Sequence, residues 1–266
     1  MLKVVFQNLS EDNIDDALLA CSPEEMLNDP FFRRGLDFRK KWMFRLYKTV
    51  GSCCKIAYFK NVPVGMVQFN PLHRIPSFAT TRRQALYIHC IFVKKAFRER
   101  GIGAKLLQKL IDDVKKPSPY FEGQPCQVLV TTARQRQAFR QPSYFKLRGF
   151  QEIEGNIDAG LVYWLSNEKA RKSIDVGVST PIQVDEKGVK IFYDPCCQWC
   201  IFINETTKKR VNEIKPNTPI EEFDIWKNSK EALRRGITSR TTYVNGRPIQ
   251  YKNSEQFRED LRKALS

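Results

Sequence analysis

The 266-residue sequence has no apolar run near the roughly 18 residues a helix needs to cross a bilayer, so no membrane partner is expected. Its first stretch, MLKVVFQNLSED, lacks the basic start and long apolar segment of a secretion signal, and the protein is expected to be cytoplasmic. Eight cysteines in a chain this long are too sparse for a disulfide scaffold. In a reducing compartment most should be free thiols, and only clustered ones suggest redox or metal chemistry. Histidine is scarce, with two in the chain and none after residue 89. With no second C-x-x-C either, the C-terminal third lacks the ligands of a complete zinc site, and no metal site is assigned. There is no internal repeat and no low-complexity tract. Acidic residues are outnumbered, 29 against 45 Lys and Arg, for a net charge of +16. Such a balance favours polyanions: nucleic acid, a membrane surface or a phosphate-rich cofactor. The excess is not a tail, because residues from 187 onward carry only +6 of it. No nucleic-acid module accompanies the basic clusters at 31–41, 133–141 and 207–210, so no nucleic-acid partner is expected.

What is present supports two cores. Hydrophobic content is 42% and aromatic content 12%, which argues against disorder. LKVVFQNL alternates as a strand, and a serine cap then opens a helix over SEDNIDDALLAC. A helix is expected over 38–50. CKIAYFKNVPVGMVQFNPL reads as a hairpin turning at Lys60–Asn61. ALYIHCIFV (85–93) is an apolar strand. GIGAKLLQKLIDDVKK (101–116) is an amphipathic helix with Leu106, Leu107, Leu110, Ile111 and Val114 on one face. CQVLVTTA (126–133) is a strand, SYFKLRGF (143–150) a short helix and AGLVYWLS (159–166) a last strand. The polar, Gly- and Pro-containing stretch 167–186 reads as a linker. A second unit, 187–266, follows as βαβαββα, with Asn245–Gly246 turning its hairpin. Cys21, Cys53, Cys54 and Cys126 read as core residues, since a buried cysteine is usually a small hydrophobe.

Two stretches carry chemistry. In the first, a buried strand leads through Arg98-Glu99-Arg100-Gly101-Ile102-Gly103-Ala104 directly into a helix. The first amides of a helix lack internal partners and carry the positive end of its dipole. Glycines at 101 and 103 let those amides approach a phosphate closely, although glycines at a helix start also serve tight packing. This strand, basic loop, Arg-x-x-Gly-x-Gly and apolar helix resemble the acetyl-CoA signature of the GNAT acetyltransferase superfamily. The likeness covers roughly residues 1–165, since QVLVTTA and YFKLRGF stand where that family has its next strand and helix. It implies a mixed-sheet α/β acyltransferase domain over 1–166 that takes acetyl-CoA and acetylates a small-molecule or protein amine. The amides of Arg98 to Ala104 would then hold the pyrophosphate. The backbone of Ile91, Phe92 and Val93 would pair with the pantetheine arm as an added strand. Direct transfer also needs a base for the ammonium and an acid for the leaving thiolate. The family's usual tyrosine falls at Phe145, a departure that leaves neighbouring Tyr144 as the candidate acid. His89 is the candidate base, and it faces the opposite side of its strand from Cys90.

The second stretch is YDPCCQWCIF (193–202). Cys197-Gln198-Trp199-Cys200 is a C-x-x-C between a strand and a helix. There the dipole and free amides lower a thiol's pKa, so that Cys197 would attack a disulfide and Cys200 resolve the product. The unit 187–266 resembles a minimal thioredoxin or glutaredoxin fold, and a GNAT domain with this tail is similar to the YoaP-type subgroup. That family's cis-proline position is occupied by Arg240, where a trans bond is expected because a non-proline cis bond is costly. Three roles stay open for the cysteines: a redox dithiol, a binding module with incidental thiols, and soft-metal capture. The functional alternatives are an N-acyltransferase whose C-terminal module binds substrate or gates activity by redox, and a thiol–disulfide oxidoreductase or thiol or metal sensor with a CoA-binding scaffold.

Overall fold

The structure is a computed structural model that describes residues 3–75, 84–132, 135–136, 139–152, 161–165, 180–251 and 254–266. By contacts the chain divides into two units. The first comprises Met1–Pro23, Met43–Ile75 and Thr80–Ile174, and the second Glu24–Trp42, Pro76–Ala79 and Asp175–Ser266. Among the described residues no helix is long and apolar enough to cross a membrane.

The first unit is built on a seven-stranded mixed sheet. Its strands are β1 (Val4–Asn8), β2 (Cys54–Phe59), β3 (Val62–Pro71), β4 (Ala85–Val93), β5 (Val128–Thr132), β8 (Gln151–Glu152) and β9 (Leu161–Leu165), in the order β1-β2-β3-β4-β5-β9-β8. A separate two-residue pair, β6 (Gln135–Arg136) and β7 (Phe139–Arg140), follows β5. Among the described residues of this sheet, only β4 and β5 pair in parallel. The β2–β3 hairpin turns at Lys60 and Asn61, both left-handed at φ 49° and 62°, which matches the twist of the flanking strands. The helices are α1 (Ile14–Ala20), the second half of α2 (Pro30–Val50), α3 (Ile102–Val114) and α4 (Gln141–Lys146).

The apolar stripe expected on α3 is realised. Leu106, Leu107, Leu110, Ile111 and Val114 are buried together with Ile102 against Val67, Phe69, Leu86 and Ile88 of the sheet. Each such side chain contributes roughly 1.5–3 kcal/mol. Cys21, Cys53, Cys54 and Cys126 are buried, as expected. The helix expected over 143–150 ends at Lys146. The chain then reverses at left-handed Gly149 (φ 82°), where the amides of Gly149 and Phe150 donate to the carbonyls of Lys146 and Phe145.

The second unit runs β10 (Val189–Tyr193), α5 (Gln198–Ile214), β11 (Ile220–Asp224), α6 (Ser229–Leu233), β12 (Thr241–Val244), β13 (Arg247–Ile249) and α7 (Ser254–Leu265), the βαβαββα order read from the sequence. The sheet order is β11-β10-β12-β13, with β10 parallel to β11 and antiparallel to β12. Residues of β10 alternate between two cores. Val189 and Ile191 join Val211, Phe257 and Leu261, whereas Phe192 joins Ile225, Ile237 and Tyr243.

Two segments join this unit that the sequence assigned elsewhere. The first is Glu24–Trp42, placed by the sequence reading within the N-terminal domain. Its helix begins at Pro30 rather than at 38, because Asp29 caps it by accepting from the amides of Phe31 and Phe32 at 2.8 and 2.9 Å. The second is the end of the expected linker. The stretch from Ile182 to Glu186 closes as a short turn with Asp185 fully buried. Asp185 takes a forked ion pair from Arg235, itself 1% exposed, at 2.8 to 3.1 Å.

Candidate active site

β4 delivers the chain to the glycine-rich turn. Arg98 closes a short turn by donating its amide to Lys95, and its Nε donates to the Val93 carbonyl at 3.0 Å. That guanidinium therefore ties the loop to the end of β4. Glu99 (φ 61°) and Gly101 (φ 74°, capping α3) are left-handed, and Arg98, Glu99, Arg100 and Gly101 are exposed. Among the described residues, no amide from Glu99 to Ala104 donates a turn or cap hydrogen bond to the backbone. Among the described residues, a Cβ at Gly101 would meet nothing within 4 Å. The result is an open cradle of backbone donors at the N-terminus of a 13-residue helix, which suits an oxyanion.

The edge of β4 facing β5 also matters. The parallel register pairs Ala85–Ile88 with Val128–Thr131, and the Thr131 hydroxyl donates to the Ile88 carbonyl at 3.0 Å. β4 then continues through His89, Cys90, Ile91, Phe92 and Val93. Cys90 to Val93 pair with β3 on one side, and no partner strand is found for their other edge among the described residues. Ile91, Phe92 and Val93 thus offer a strand edge next to the cradle.

His89 stands at an irregularity. Gln68 pairs with Cys90 and Phe69 with Ile88, so His89 is the extra residue of a bulge. A bulge re-aims a side chain, so simple alternation does not place His89 and Cys90. The imidazole Nε2 lies 3.1 Å from Nδ2 of fully buried Asn70, and Tyr87 packs edge-on to the ring at 4.8 Å. Asn70 carried no sequence signal.

Phe145 is a core residue, 5% exposed. Neighbouring Tyr144 instead brings its hydroxyl to 3.5 Å from the position of a Cβ on Gly103, beside the first turn of α3. Arg148 stacks over the Tyr144 ring at 3.9 Å. Burial pushes the phenol up to about 12, outweighing the opposing pull of Arg148, so it stays protonated at neutral pH.

In the second unit Cys197 caps α5 in extended conformation (φ −135°, ψ 120°). The Cys196 amide donates to Asp194 Oδ1 at 3.0 Å, which also accepts from Trp226 Nε1 at 2.9 Å. The Cys200 thiol, the Arg39 charge and the amides of Trp199 and Cys200 bring the Cys197 thiol down to about 7 against the effect of burial. The Cys200 thiol is raised well above its usual range, first by its bond to Cys197 and then by burial. Burial and the Asp194 charge raise Cys196. The Ser239–Arg240 bond is trans, and Arg240 reaches toward the Thr242 hydroxyl at 3.5 Å.

The first half of α2 packs on this motif. Gly35 approaches the Gln198 carbonyl so closely that a Cβ would lie 2.4 Å from the oxygen. Arg39 Nη1 donates to Gln198 Oε1 at 2.9 Å, and Phe32 meets Trp199 edge-on at 4.9 Å. Alanine normally favours a helix over glycine by about 1 kcal/mol. At Gly35 the sign is expected to invert, with Gly35→Ala costing about 1–3 kcal/mol through overpacking. Urea unfolding followed by tryptophan fluorescence measures this, and a variant as stable as the parent would contradict the close approach.

Residues 16–121 match the model of the acetyltransferase (GNAT) family. The matched segment takes in β2, β3, β4 and α3. Among curated proteins, none matches the chain. Similar solved structures include the PaiA N-acetyltransferase from Thermoplasma acidophilum in complex with coenzyme A (10% identity, 62% of this chain and 99% of that one, TM-score 0.43). A GNAT-family acetyltransferase from Staphylococcus aureus Mu50 is 17% identical over 62% of this chain and 100% of its own, at TM-score 0.43. One from Brucella melitensis in complex with acetyl-CoA is 11% identical over 63% and 90%, at 0.43.

Proposed function

We propose that the protein is an acetyl-CoA-dependent N-acetyltransferase acting on an amine. The observation that carries this reading is the open amide cradle from Glu99 to Ala104 at the start of α3, next to the edge of β4 at Ile91–Val93 that no described strand covers, inside the segment that matches the GNAT family. The residues suit the cofactor: left-handed Glu99 and Gly101 turn backbone donors outward, and none of the described residues fills the space beside Gly101. The amides of Glu99 to Ala104 would hold the pyrophosphate, with Arg100 adding charge. The amide of Arg98 serves the turn, and its side chain braces the loop. Ile91, Phe92 and Val93 would pair with the pantetheine arm. Acetyl-CoA supplies an acyl group activated as a thioester. His89 would accept the proton of the ammonium at Nε2, giving up its contact with the Asn70 amide nitrogen as it does so, and Tyr144 would donate to the leaving thiolate.

Tyr144→Phe keeps the packing and removes that proton. It is expected to lower kcat on the order of 100-fold, leaving KM for acetyl-CoA within about 2-fold. Chromatographic measurement of CoA formed with a panel of primary amines reads both. Unchanged kcat would make Tyr144 a packing residue, and no turnover by the parent with any amine would remove support for the enzyme reading.

A second reading concerns the second unit, whose sheet order, helix placement and C-x-x-C at the start of α5 support a thioredoxin- or glutaredoxin-like module of the YoaP type. The lowered Cys197 thiol favours a reactive dithiol there. The module either gates acetylation or carries an activity of its own, and free thiols of this kind fit a cytoplasmic location.

A further inference from the structure

We infer that the carboxamide oxygen of Asn70 receives the substrate's ammonium group, and that the amine the protein acetylates is aliphatic rather than aromatic. The inference deepens the acetyltransferase reading and rests on it, with His89 as the base.

Asn70 is the next-to-last residue of β3 and pairs with Tyr87 of β4. Their neighbours Phe69, Leu86 and Ile88 face the core under α3. Alternation therefore turns Asn70 and Tyr87 to the opposite face of the sheet. His89 joins them there, with its ring edge-on to Tyr87 at 4.8 Å and its Nε2 3.1 Å from Asn70 Nδ2. A contact between these two nitrogens fixes its own polarity. The amide donates, Nε2 accepts, and the neutral ring carries its proton on Nδ1. The Asn70 oxygen sits on the same carbon as Nδ2, and it has no hydrogen-bond partner among the described residues. Asn70 is 0% exposed. Buried carboxamide oxygens are normally bonded, so this one marks the place of a donor that comes from outside the chain. His89 is only half-buried and forms the approach to it.

The chemistry favours a neutral acceptor at this point. An alkylammonium titrates near the lysine value of about 10.4, against about 6.5 for imidazole. Its proton moves to His89 only if the site lowers the first value. Burial does so, whereas a carboxylate bound to the ammonium would favour the cation and oppose the transfer. A carboxamide oxygen orients the ammonium without holding its charge. On entry, the ammonium takes the place of the Asn70 N–H at Nε2 and donates a second N–H to Oδ1. Nε2 removes one proton. The freed nitrogen lone pair forms the bond to the acetyl carbon, the carbon–sulfur bond breaks, and the sulfur takes the Tyr144 proton. The nitrogen then loses a second proton, which restores Tyr144, and keeps the one bonded to Oδ1. His89 returns its proton to water. An aromatic amine is already neutral at pH 7, so it gains little from this arrangement.

Steady-state kinetics with tyramine as the alkylammonium and 4-aminophenol as the aromatic amine test the inference on the full chain. The parent is expected to prefer tyramine. Asn70→Asp should lower KM for tyramine about 3-fold or more while lowering kcat at least about 10-fold, because each unit added to the ammonium pKa costs a factor of about ten in free amine. Asn70→Leu should raise KM for tyramine about 10-fold. KM for acetyl-CoA should stay within about 2-fold in both, and 4-aminophenol should not show the opposed shifts in Asn70→Asp. A parent that prefers 4-aminophenol, or a folded Asn70→Asp variant without the split between KM and kcat, would overturn the role of Asn70. His89→Gln separates the two levels: tyramine turnover equal to the parent's would remove the base, and with it this inference. No turnover of any amine by the parent would remove the acetyltransferase reading itself. If the Asn70 variants do not fold, long-range ¹H–¹⁵N NMR of the parent decides. The chain has two histidines, and His73→Gln assigns them. His89 is expected as the Nδ1–H tautomer at a pH of about 8.5, where both rings are neutral. The Nε2–H tautomer would show that Asn70 already uses its oxygen on His89 and has none to offer a substrate.

Discussion

Gly103→Glu is expected to cost acetyl-CoA affinity on the order of 100- to 1000-fold while leaving the fold intact. Two effects of one cause separate here. Gly103 sits in the first turn of α3, where, among the described residues, a Cβ would meet only the Tyr144 hydroxyl at 3.5 Å and a Val93 methyl at 3.6 Å. Both are ordinary contacts, so the backbone accepts a side chain. A carboxylate near a helix N-terminus is itself favourable by about 0.3–1 kcal/mol. The variant should therefore unfold at the parent's midpoint or slightly above it. The same carboxylate competes with an incoming phosphate for the cradle. A like charge about 4 Å away at an effective dielectric of about 20 costs roughly 4 kcal/mol, which sets the upper end of the range. Calorimetric titration beside thermal unfolding tests both halves. A folded variant with the parent's affinity would place the phosphate elsewhere.

Arg235→Met is the second large effect, and it acts on stability. Arg235 is 1% exposed, grips fully buried Asp185, bonds to Glu231 at 2.7 Å and stacks over Phe192 at 5.0 Å. Methionine keeps much of the volume but leaves a buried carboxylate without this partner, a loss of about 3–5 kcal/mol. The pH dependence carries the sign. In the parent, hydrogen bonds from Arg235 lead the effects that hold Asp185 below the usual carboxylate value in spite of burial. The pair's contribution is therefore present above about pH 4 and fades as pH falls through the lower folded value. Without Arg235, burial dominates and raises the folded value. That variant should gain stability from Asp185 as pH falls toward 4, where the parent does not. Urea unfolding between pH 4 and 7 measures both slopes. A loss below about 1 kcal/mol, or parallel slopes, would show that the pair does not hold the turn.

The local features of the sequence were legible because they are set by neighbours. Leu106 to Val114 show helical spacing, Lys60–Asn61 and Asn245–Gly246 bring their own turn conformation, and the βαβαββα order follows from alternating periods. The capping pair Asp29–Pro30 was equally local, and it marks where α2 begins. What stayed hidden depends on distant partners. In FFRRGLDFRKK, Arg33, Arg34, Lys40 and Lys41 are exposed, but Phe32, Gly35 and Arg39 are buried in the second unit. The pattern shows an amphipathic face without naming what covers it. Asp185 looked like linker because a buried ion pair has no periodicity. The bulge at His89 and the end of β4–β5 pairing at Ile88 arise between strands, so alternation along one strand could not place His89 or reveal Asn70. The choice between Phe145 and Tyr144 needed the packing of α4, which sends the phenylalanine inward and the tyrosine to Gly103. Of the basic run 133–141, residues 133–134 and 137–138 lie outside the described residues.

The central claim is that the turn between β4 and α3 binds acetyl-CoA. Titration of the reduced protein with acetyl-CoA in a calorimeter tests it most directly. Saturable binding at one site per chain is the predicted result, weakened by added free CoA as a competitor. No measurable heat at micromolar to millimolar acetyl-CoA, with the protein folded, would contradict the claim and leave the dithiol of the second unit as the seat of function.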